Sequence, residues 1–285
     1  MDKVAIVTGA GRGIGRAIAL ALGGQGARVA AAARTLAEVE ETVALLQAMG
    51  CQALAVAADV SDRMAVQQLV ARAVRELGGL HILVNSAGVQ GPIGPLVEND
   101  VDVWLRTIQI NLVGTFLCCR AALPHMMQQR YGRIINLSGG GATGARPRFS
   151  AYAASKAAVV RLTETLAEEM QAFNIQVNAI APGAVNTHML DEVLAAGPAA
   201  GEKNLAEAQR QLESGGTPPD LAAALAVFLA SAASDGLTGR LIAAPHDGWQ
   251  SWDAGRIAEV MSAPWFTLRR IDPFTLKPFL ATSAH

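Results

Sequence analysis

Short runs of consecutive apolar residues alternate along the chain with longer segments in which apolar residues recur at helical spacing. The short runs predict strands at residues 3–8, 27–33, 52–58, 80–85, 133–138, 175–180 and 239–244. The longer segments predict helices near residues 12–23, 36–49, 62–77, 101–130, 150–173 and 218–232. Strands that are apolar throughout are typical of a parallel sheet covered on both faces. The pattern therefore predicts an α/β fold: one doubly wound, Rossmann-type domain with a parallel seven-stranded sheet and helices on both faces.

Two segments do not follow this alternation. Residues 1–244 are predicted to form one domain, in which residues 187–216 are long for a connection and predict a lid over a substrate site. Residues 245–285 form an atypical C-terminal tail. Its aromatic residues are Trp249, Trp252, Trp265, Phe266, Phe274 and Phe279, and Pro264, Pro273 and Pro278 argue against one continuous helix. The tail packs either on its own domain or on a neighbouring subunit, and the frequency of aromatic residues at interfaces favours the second.

Composition narrows the class of protein. Hydrophobic residues make up 51% of the 285 residues and charged residues 16%, which argues against intrinsic disorder. The chain has 23 Lys and Arg against 24 Asp and Glu, so it lacks the basic surplus expected of a nucleic-acid binder. No apolar run is long enough to span a bilayer, and no signal peptide is expected ahead of the first strand. Three cysteines do not make a disulfide framework, and five histidines show no metal-ligand spacing. We expect a cytoplasmic protein without a bound metal.

A glycine-rich turn follows the first predicted strand and opens the first helix. Its glycines, Gly9, Gly13 and Gly15, have the spacing GxxxGxG. Such a turn lets a pyrophosphate approach the backbone N–H groups at the positive end of a helix. The turn therefore predicts a dinucleotide site.

The end of the second strand indicates which dinucleotide binds. Enzymes that prefer NAD usually place a carboxylate there to accept the ribose 2′-OH. Here the strand ends at Arg34, and no carboxylate follows until Glu38. Arg34, with Arg12 as a second cation, is suited to a ribose 2′-phosphate. The sequence therefore favours NADP(H) over NAD(H).

Tyr152 and Lys156 lie four residues apart in a predicted helix, so they share one face. A phenol with an ordinary pKa near 10 is a poor acid–base catalyst at neutral pH, and a nearby ammonium lowers that pKa. The pair is suited to moving a proton onto or off a carbonyl oxygen.

Taken in order, these motifs resemble the short-chain dehydrogenase/reductase (SDR) family, over residues 3–244. The motifs are Gly9/Gly13/Gly15, Asp59-Val60, Asn85-Ser86-Ala87-Gly88, Asn111, Tyr152/Lys156 and Pro182-Gly183. The resemblance implies an NAD(P)-dependent enzyme acting on CH–OH groups, and an assembly of two or four copies.

The resemblance also implies individual roles. Tyr152 would be the acid–base catalyst, Lys156 would also bond the nicotinamide ribose, and Asn111 would hold a water that links Lys156 to solvent. The predicted cofactor site comprises Gly9, Gly11, Arg12, Gly13, Ile14, Gly15, Arg34, Asp59, Val60, Asn85, Ala87, Gly88, Tyr152, Lys156, Pro182, Gly183, Val185 and Thr187.

One position departs from the family. Its members usually carry a serine 13 residues before the tyrosine, and this chain has Gly139 there. Ser138 is one place early and faces the site only if the strand end is bulged or already turning, which Gly139-Gly140-Gly141 allows. Ser138 is retained as a candidate catalytic residue; without it the oxygen would be held by Tyr152 alone or with backbone N–H groups.

The substrate pocket is expected under residues 187–216, with residues 139–149, His188 and Met189 as walls. Arg146 and Arg148 precede Tyr152; they either read a substrate anion or are surface charges, and the second is favoured. The favoured function is NADP(H)-dependent interconversion of a ketone or aldehyde and an alcohol. Two alternatives stay open: another reaction on the same cofactor, such as enoyl or imine reduction or epimerisation, and a non-catalytic NADP(H) sensor.

Overall fold

The computed structural model describes residues 2–272; predictions for Pro273, Phe274, Pro278 and Phe279 lie outside the described residues. The sheet contains seven parallel strands in the order β3-β2-β1-β4-β5-β6-β7. The strands are β1 (Val4–Thr8), β2 (Arg28–Ala33), β3 (Ala53–Ala57), β4 (Ile82–Asn85), β5 (Gly132–Leu137), β6 (Ile175–Ala181) and β7 (Leu241–Ala243). The predicted fold class is confirmed.

Helices cover both faces of this sheet. They are α1 (Gly13–Gly24), α2 (Leu36–Ala48), α3 (Arg63–Leu77), α4 (Val101–Ile108), α5 (Gly114–Gln129), α6 (Ser150–Glu169), α7 (His188–Ala196), α8 (Glu202–Ser214), α9 (Pro219–Ala230) and α10 (Ala254–Ser262). Helices α1, α2, α9 and α10 pack on one face, and α3, α5 and α6 on the other. Successive residues of β1 divide between the two cores: Ile6 enters one and Val7 the other.

Local chemistry explains several helix ends. The carboxylate of Asp62 accepts hydrogen bonds from the backbone N–H groups of Met64 and Ala65 and so caps α3. Gly78 ends α3 in the left-handed conformation, with φ of 84°. The single predicted helix at 101–130 contains a wider π turn at Gln109–Val113, between α4 and α5.

The C-terminal tail, as far as Asp272, packs on its own domain. Trp249 and Trp252 are buried in the core on the α1 and α9 face, and the Trp249 ring lies 5.6 Å from that of Phe228. Trp252 contacts Phe266, with 5.3 Å between ring centroids. Trp249, Trp252 and Phe266 therefore pack within their own subunit, and contact of the tail with a neighbouring subunit stays a prediction. Among residues 2–272, no helix combines the length and apolar content needed to cross a bilayer.

Replacing Trp249 by alanine tests this packing. We expect Trp249→Ala to lower the free energy of unfolding by about 3–5 kcal/mol, because it leaves a cavity between α9 and the tail. Chemical denaturation measures the change. Leu212→Ala on the exposed side of α8 is the control, with a change within about 0.5 kcal/mol. A loss below about 1 kcal/mol for Trp249→Ala would contradict the packing.

Candidate active site

The candidate site lies at the carboxyl ends of the strands, where the chain switches from one side of β1 to the other. Ligands bind at such switch points in open parallel sheets. A cavity of about 520 Å³ is present there. Most of the predicted residues line it: Gly9, Gly11, Arg12, Gly13, Ile14, Gly15, Arg34, Asp59, Val60, Ala87, Gly88, Ser138, Tyr152, Lys156, Pro182 and Thr187.

The glycine-rich turn is shaped for close approach of a ligand. A Cβ at position 15 would lie 2.2 Å from the carbonyl oxygen of Gly9, and a Cβ at position 9 would lie 2.8 Å from the backbone nitrogen of Ala87. Gly9 also has a φ of 66°, which other residues rarely adopt. Only glycine fits at both positions. The turn exposes the start of α1 to the cavity, as a pyrophosphate site requires.

The carboxylate of Asp59 is held ionised at one end of the cavity. It accepts hydrogen bonds from the Ser61 hydroxyl at 2.6 Å and from Arg106 at 2.5 Å. Burial raises the pKa of Asp59, but these hydrogen bonds and the charge of Arg106 outweigh that effect and hold it below its ordinary value. Asp59 is therefore an acceptor for a hydrogen-bond donor such as an adenine amino group.

Charges of both signs meet where the second strand ends. Arg34 is exposed at the cavity rim and makes no hydrogen bond or ion pair with another residue in 2–272. Glu38 comes four residues after Arg34 and was not expected at the site. It also lines the cavity, because the first turn of α2 brings it back to the glycine-rich turn. Its carboxylate lies 3.9 Å from Arg12.

Four predicted residues do not line the cavity: Asn85, Asn111, Gly183 and Val185. Asn85 lies behind it and donates a hydrogen bond to Asn136 at 2.8 Å, which joins β4 to β5. Gly183 forms a turn with φ of 85° against Thr217 and Pro245. Val185 is buried beside that turn.

Asn111 acts from the layer beneath the cavity. It lies in the π turn, a distortion that often marks functional positions. Its amide donates to the carbonyl of Val89 and to the Ser155 hydroxyl, each at 3.0 Å, and accepts from the Val89 N–H at 2.9 Å. These bonds attach the π turn to α6 at the residue before Lys156.

Lys156 is an almost fully buried cation. Its ammonium donates a hydrogen bond to the carbonyl of Leu137 at 2.8 Å, at the end of β5. A Cβ at position 88 would lie 3.5 Å from Lys156 Nζ and 3.2 Å from Asn111 Oδ1, so Gly88 keeps this space open. Burial lowers the pKa of Lys156 to about 8.

The Tyr152 hydroxyl occupies the space in front of Gly139. A Cβ at position 139 would lie 2.3 Å from Tyr152 Oη, so a serine there would require the ring to move. The hydroxyl makes no hydrogen bond with another residue in the described part of the chain, and Tyr152 lines the cavity. Burial raises the pKa of Tyr152, opposed by the positive charge of Arg146. The direction is opposite to the lowering expected from the Lys156 ammonium, whose Nζ is 5.7 Å from the ring centroid.

Ser138 is buried at the same cavity, and its hydroxyl has no hydrogen-bond partner among residues 2–272. The chain is already leaving β5 at this point, since the strand ends at Leu137. A buried hydroxyl without a partner is a donor still available to a ligand.

Residues 187–216, predicted as a lid, form α7 and α8 and pack against Tyr152. Leu190, Val193 and Ala208 cluster with Tyr152 and Phe149. Of the predicted walls, His188 and Met189 line the cavity. Arg148 is exposed, as the favoured interpretation requires, but Arg146 is half-buried, with its guanidinium 3.9 Å from the centre of the Phe149 ring.

Sequence reasoning missed other residues of the cavity: Ala33, Thr35, Glu38, Ala58, Ser86, Val89, Ile110, Leu137, Asn186 and Glu192. Most are direct neighbours of predicted residues and could have been found by extending each motif by one position. Glu38 could have been found from its place in the first turn of a helix that starts beside Arg34.

Known proteins with the same features identify the family. The short chain dehydrogenase family matches residues 3–197. A 3beta-hydroxysteroid dehydrogenase 1 from Eggerthella lenta is 40% identical over 241 residues, 83% of this chain and 90% of that protein. An NAD⁺-bound xylitol dehydrogenase superimposes with a TM-score of 0.80 at 29% identity, covering 85% of this chain and 96% of that one. An actinorhodin polyketide ketoreductase with NADPH gives a TM-score of 0.79 at 30% identity, covering 85% and 95%. The chain belongs to the short-chain dehydrogenase/reductase family and is an NAD(P)-dependent oxidoreductase acting on CH–OH groups.

The buried ammonium of Lys156 predicts a gain in stability when it is removed. At pH 7 its burial costs about 3 kcal/mol, since each pKa unit corresponds to about 1.4 kcal/mol. Lys156→Met keeps the volume, and we expect it to raise the free energy of unfolding by about 1–3 kcal/mol while abolishing turnover. Lys203→Met, on the surface of α8, is the control and should change neither quantity.

The pH dependence has a definite sign. The unfolded chain keeps this proton up to the ordinary pKa of 10.5, and the folded chain only up to about 8. The wild-type protein therefore gains stability as the pH rises from about 8 to about 10.5, and the advantage of Lys156→Met shrinks over that range. Denaturation curves at pH 7 and pH 10 measure it. An advantage that stays constant with pH would show that folding does not lower the pKa of Lys156.

Proposed function

We propose that this oxidoreductase interconverts a ketone or aldehyde and an alcohol with NADP(H), and that Tyr152 transfers the proton. The observation that carries the proposal is the Tyr152 hydroxyl: it borders the cavity without a hydrogen bond of its own, one helical turn from the buried ammonium of Lys156. A hydroxyl without a partner in a lined cavity is ready to bond a substrate oxygen.

The residues present fit the dinucleotide. The backbone of the turn at Gly9 to Gly15 would hold the pyrophosphate, Asp59 and Val60 the adenine, and Pro182 and Thr187 would border the nicotinamide. When bound, the nicotinamide supplies or accepts the hydride at the substrate carbon.

In the direction of reduction, Tyr152 donates its proton to the carbonyl oxygen as the C–H bond forms, so that the carbonyl group becomes an alcohol. The phenol of Tyr152 is protonated at neutral pH and can act as the donor. Burial raises its pKa and so weakens it as an acid, and the positive charge of Arg146 opposes that rise. Lys156 returns a proton to Tyr152, and Asn111 positions α6 and the water that supplies it. In oxidation, the same proton moves in the opposite direction.

Ser138 supplies the second hydrogen bond to the substrate oxygen in this proposal. Its hydroxyl has no partner among the described residues and lies at the cavity that Tyr152 also lines, which supports that role. Donors placed in advance at a developing oxyanion are worth several kcal/mol of barrier.

Tyr152→Phe is the direct test of the proton transfer. We expect kcat to fall by about 10²–10⁴-fold, because the proton donor is lost, while NADPH affinity changes by less than about twofold. NADPH absorbance follows turnover over a panel of ketones and aldehydes, and fluorescence titration follows binding. The control is Tyr131→Phe, the only other tyrosine in the chain, whose ring lies against Lys3 and Arg133. Normal turnover by Tyr152→Phe would exclude the proposed mechanism.

We propose the preference for NADP(H) from the charged side chains beside the end of β2. Arg34 is a cation at the rim without a partner among the described residues, which supports pairing with a 2′-phosphate. The negative charge of Glu38 repels a phosphate. Arg12, 3.9 Å from the Glu38 carboxylate, offsets part of that negative charge.

Two substitutions should move the preference in opposite directions. Arg34→Ala is expected to lower the ratio of kcat/KM for NADPH over NADH by about 10- to 100-fold, the range for a hydrogen bond to a charged group. Glu38→Gln is expected to raise the ratio. Arg75→Ala, exposed near the end of α3, serves as the control. An unchanged ratio for both Arg34→Ala and Glu38→Gln would place the choice of cofactor elsewhere.

The proposal also covers the cellular location, the partners and the oligomeric state of the enzyme. We infer a cytoplasmic enzyme with a small-molecule substrate, neither a nucleic acid nor a membrane as partner, and an assembly of two or four copies. Exposed apolar side chains along α4 and α5, including Val101, Val103, Leu105 and Phe116, support contact between subunits.

A further inference from the structure

We propose that Arg146 forms a carboxylate-binding subsite beside Tyr152, so that the substrate of this enzyme is a hydroxy acid or oxo acid. The inference rests on the proposed function for the reacting carbonyl group. It adds a second, charged point of recognition on the same substrate.

The guanidinium of Arg146 is half-buried but lacks polar partners. It lies 3.9 Å from the centre of the Phe149 ring and 5.7 Å from that of Tyr152. Within residues 2–272, its side chain makes no hydrogen bond and no ion pair within 4.0 Å. A guanidinium has five N–H donors. No Arg146 nitrogen is among the fully enclosed atoms of the described residues, so these N–H groups are open to solvent and to a ligand. Burial also lowers the pKa of Arg146.

Other arginines in this chain show how structural guanidinium groups are satisfied. Arg240 donates to the carbonyls of Val260, Met261 and Ala263, each at 3.3 Å, and thereby ties α10 to β7. Arg133, nearly inaccessible, pairs with Asp235 at 2.5 Å. Arg146 has no such role. The phenylalanine ring holds one face of the guanidinium, and its N–H groups are left for a ligand.

The glycine loop runs past both this cation and the Tyr152 hydroxyl. A Cβ at position 139 would lie 2.3 Å from Tyr152 Oη, and one at position 140 would lie 3.7 Å from Nη1 of Arg146. The same bare stretch of backbone therefore borders both groups. Arg146 does not line the cavity itself, but its guanidinium carbon is 5.7 Å from the centre of the Tyr152 ring. We infer that a small molecule with its carbonyl oxygen at Tyr152 places an anionic group near this guanidinium.

The electrostatics favour a carboxylate over a phosphate. Arg146 is one cation, and its planar edge matches the two oxygens of a carboxylate. Glu207 on α8 is exposed and interacts with Arg146 electrostatically without forming an ion pair. Its negative charge repels a doubly charged phosphate more than a singly charged carboxylate.

Matched pairs of ligands test the proposal. Each pair consists of a carboxylate and its neutral counterpart: benzoate and benzamide, 4-oxopentanoate and its methyl ester, and 3-oxocyclohexanecarboxylate and its methyl ester. Calorimetry measures binding to the enzyme with NADP⁺, and NADPH absorbance measures turnover of the oxo compounds. The binding arm needs no turnover, so failure of the subsite and failure of the proposed reaction are distinguishable.

Arg146→Gln removes the charge, and Arg146→Lys keeps it without the planar edge. Arg148→Gln removes a neighbouring, exposed charge and is the matched control. Thermal unfolding and cofactor binding confirm that each variant is folded. If Arg146→Gln fails to fold, Arg146→Lys supplies the comparison, with a smaller expected loss.

We expect the wild-type enzyme to prefer the carboxylate over its neutral counterpart by at least tenfold in at least one pair. Arg146→Gln should reduce that preference by about 10- to 100-fold, and Arg148→Gln by less than twofold. Affinity for the neutral members should be unchanged in both variants. Three results would overturn the proposal: no preference for a carboxylate in any pair, a preference that survives in Arg146→Gln, or tighter binding of phenyl phosphate than of benzoate.

Discussion

The ammonium of Lys156 is enclosed in the protein interior, and the rest of the site is arranged around this cation. Its partner is the carbonyl of Leu137, at 2.8 Å, so α6 is fixed against the carboxyl end of β5. Gly88 supplies the space beside it, and Asn111 holds the π turn against α6 through Ser155. A buried ammonium destabilises the folded state and persists in a structure where it serves a function. Under the proposed function, Lys156 supports the proton chemistry of Tyr152.

Tyr152 owes its position to a glycine. With no Cβ at position 139, the hydroxyl occupies the space in which relatives of this family usually carry a serine. The burial that results raises its pKa, and Arg146 rather than Lys156 is the cation that opposes the rise. Two hydrogen-bond donors lie near this glycine: the hydroxyl of Ser138, which has no partner among the described residues, and the guanidinium of Arg146. In the proposals above, these two groups are the hydrogen-bond donors that meet the substrate beside Tyr152.

Features that depend on local pattern were predictable from the sequence. Uninterrupted apolar runs predicted the strands, because a strand covered on both faces has no polar side, and the glycine turn followed from the steric needs of a pyrophosphate site. Features that depend on how segments meet were not predictable. Glu38 reaches the cavity because the first turn of α2 brings it back to the glycine-rich turn. Arg146 is half-buried because its guanidinium packs on the Phe149 ring. The aromatic residues of the tail, as far as it is described, pack on α9. Composition alone does not distinguish packing on the same domain from packing on a neighbouring subunit.

Transfer of deuterium tests the central claim most directly. NADPH carrying deuterium at both positions of nicotinamide C4 is incubated with the enzyme and a ketone or aldehyde that it reduces, and the alcohol is examined by NMR and mass spectrometry. Hydride transfer to the carbonyl carbon predicts one deuterium on the carbinol carbon of each alcohol molecule. Oxidation of NADPH without deuterium at that carbon would contradict hydride transfer to the carbonyl group.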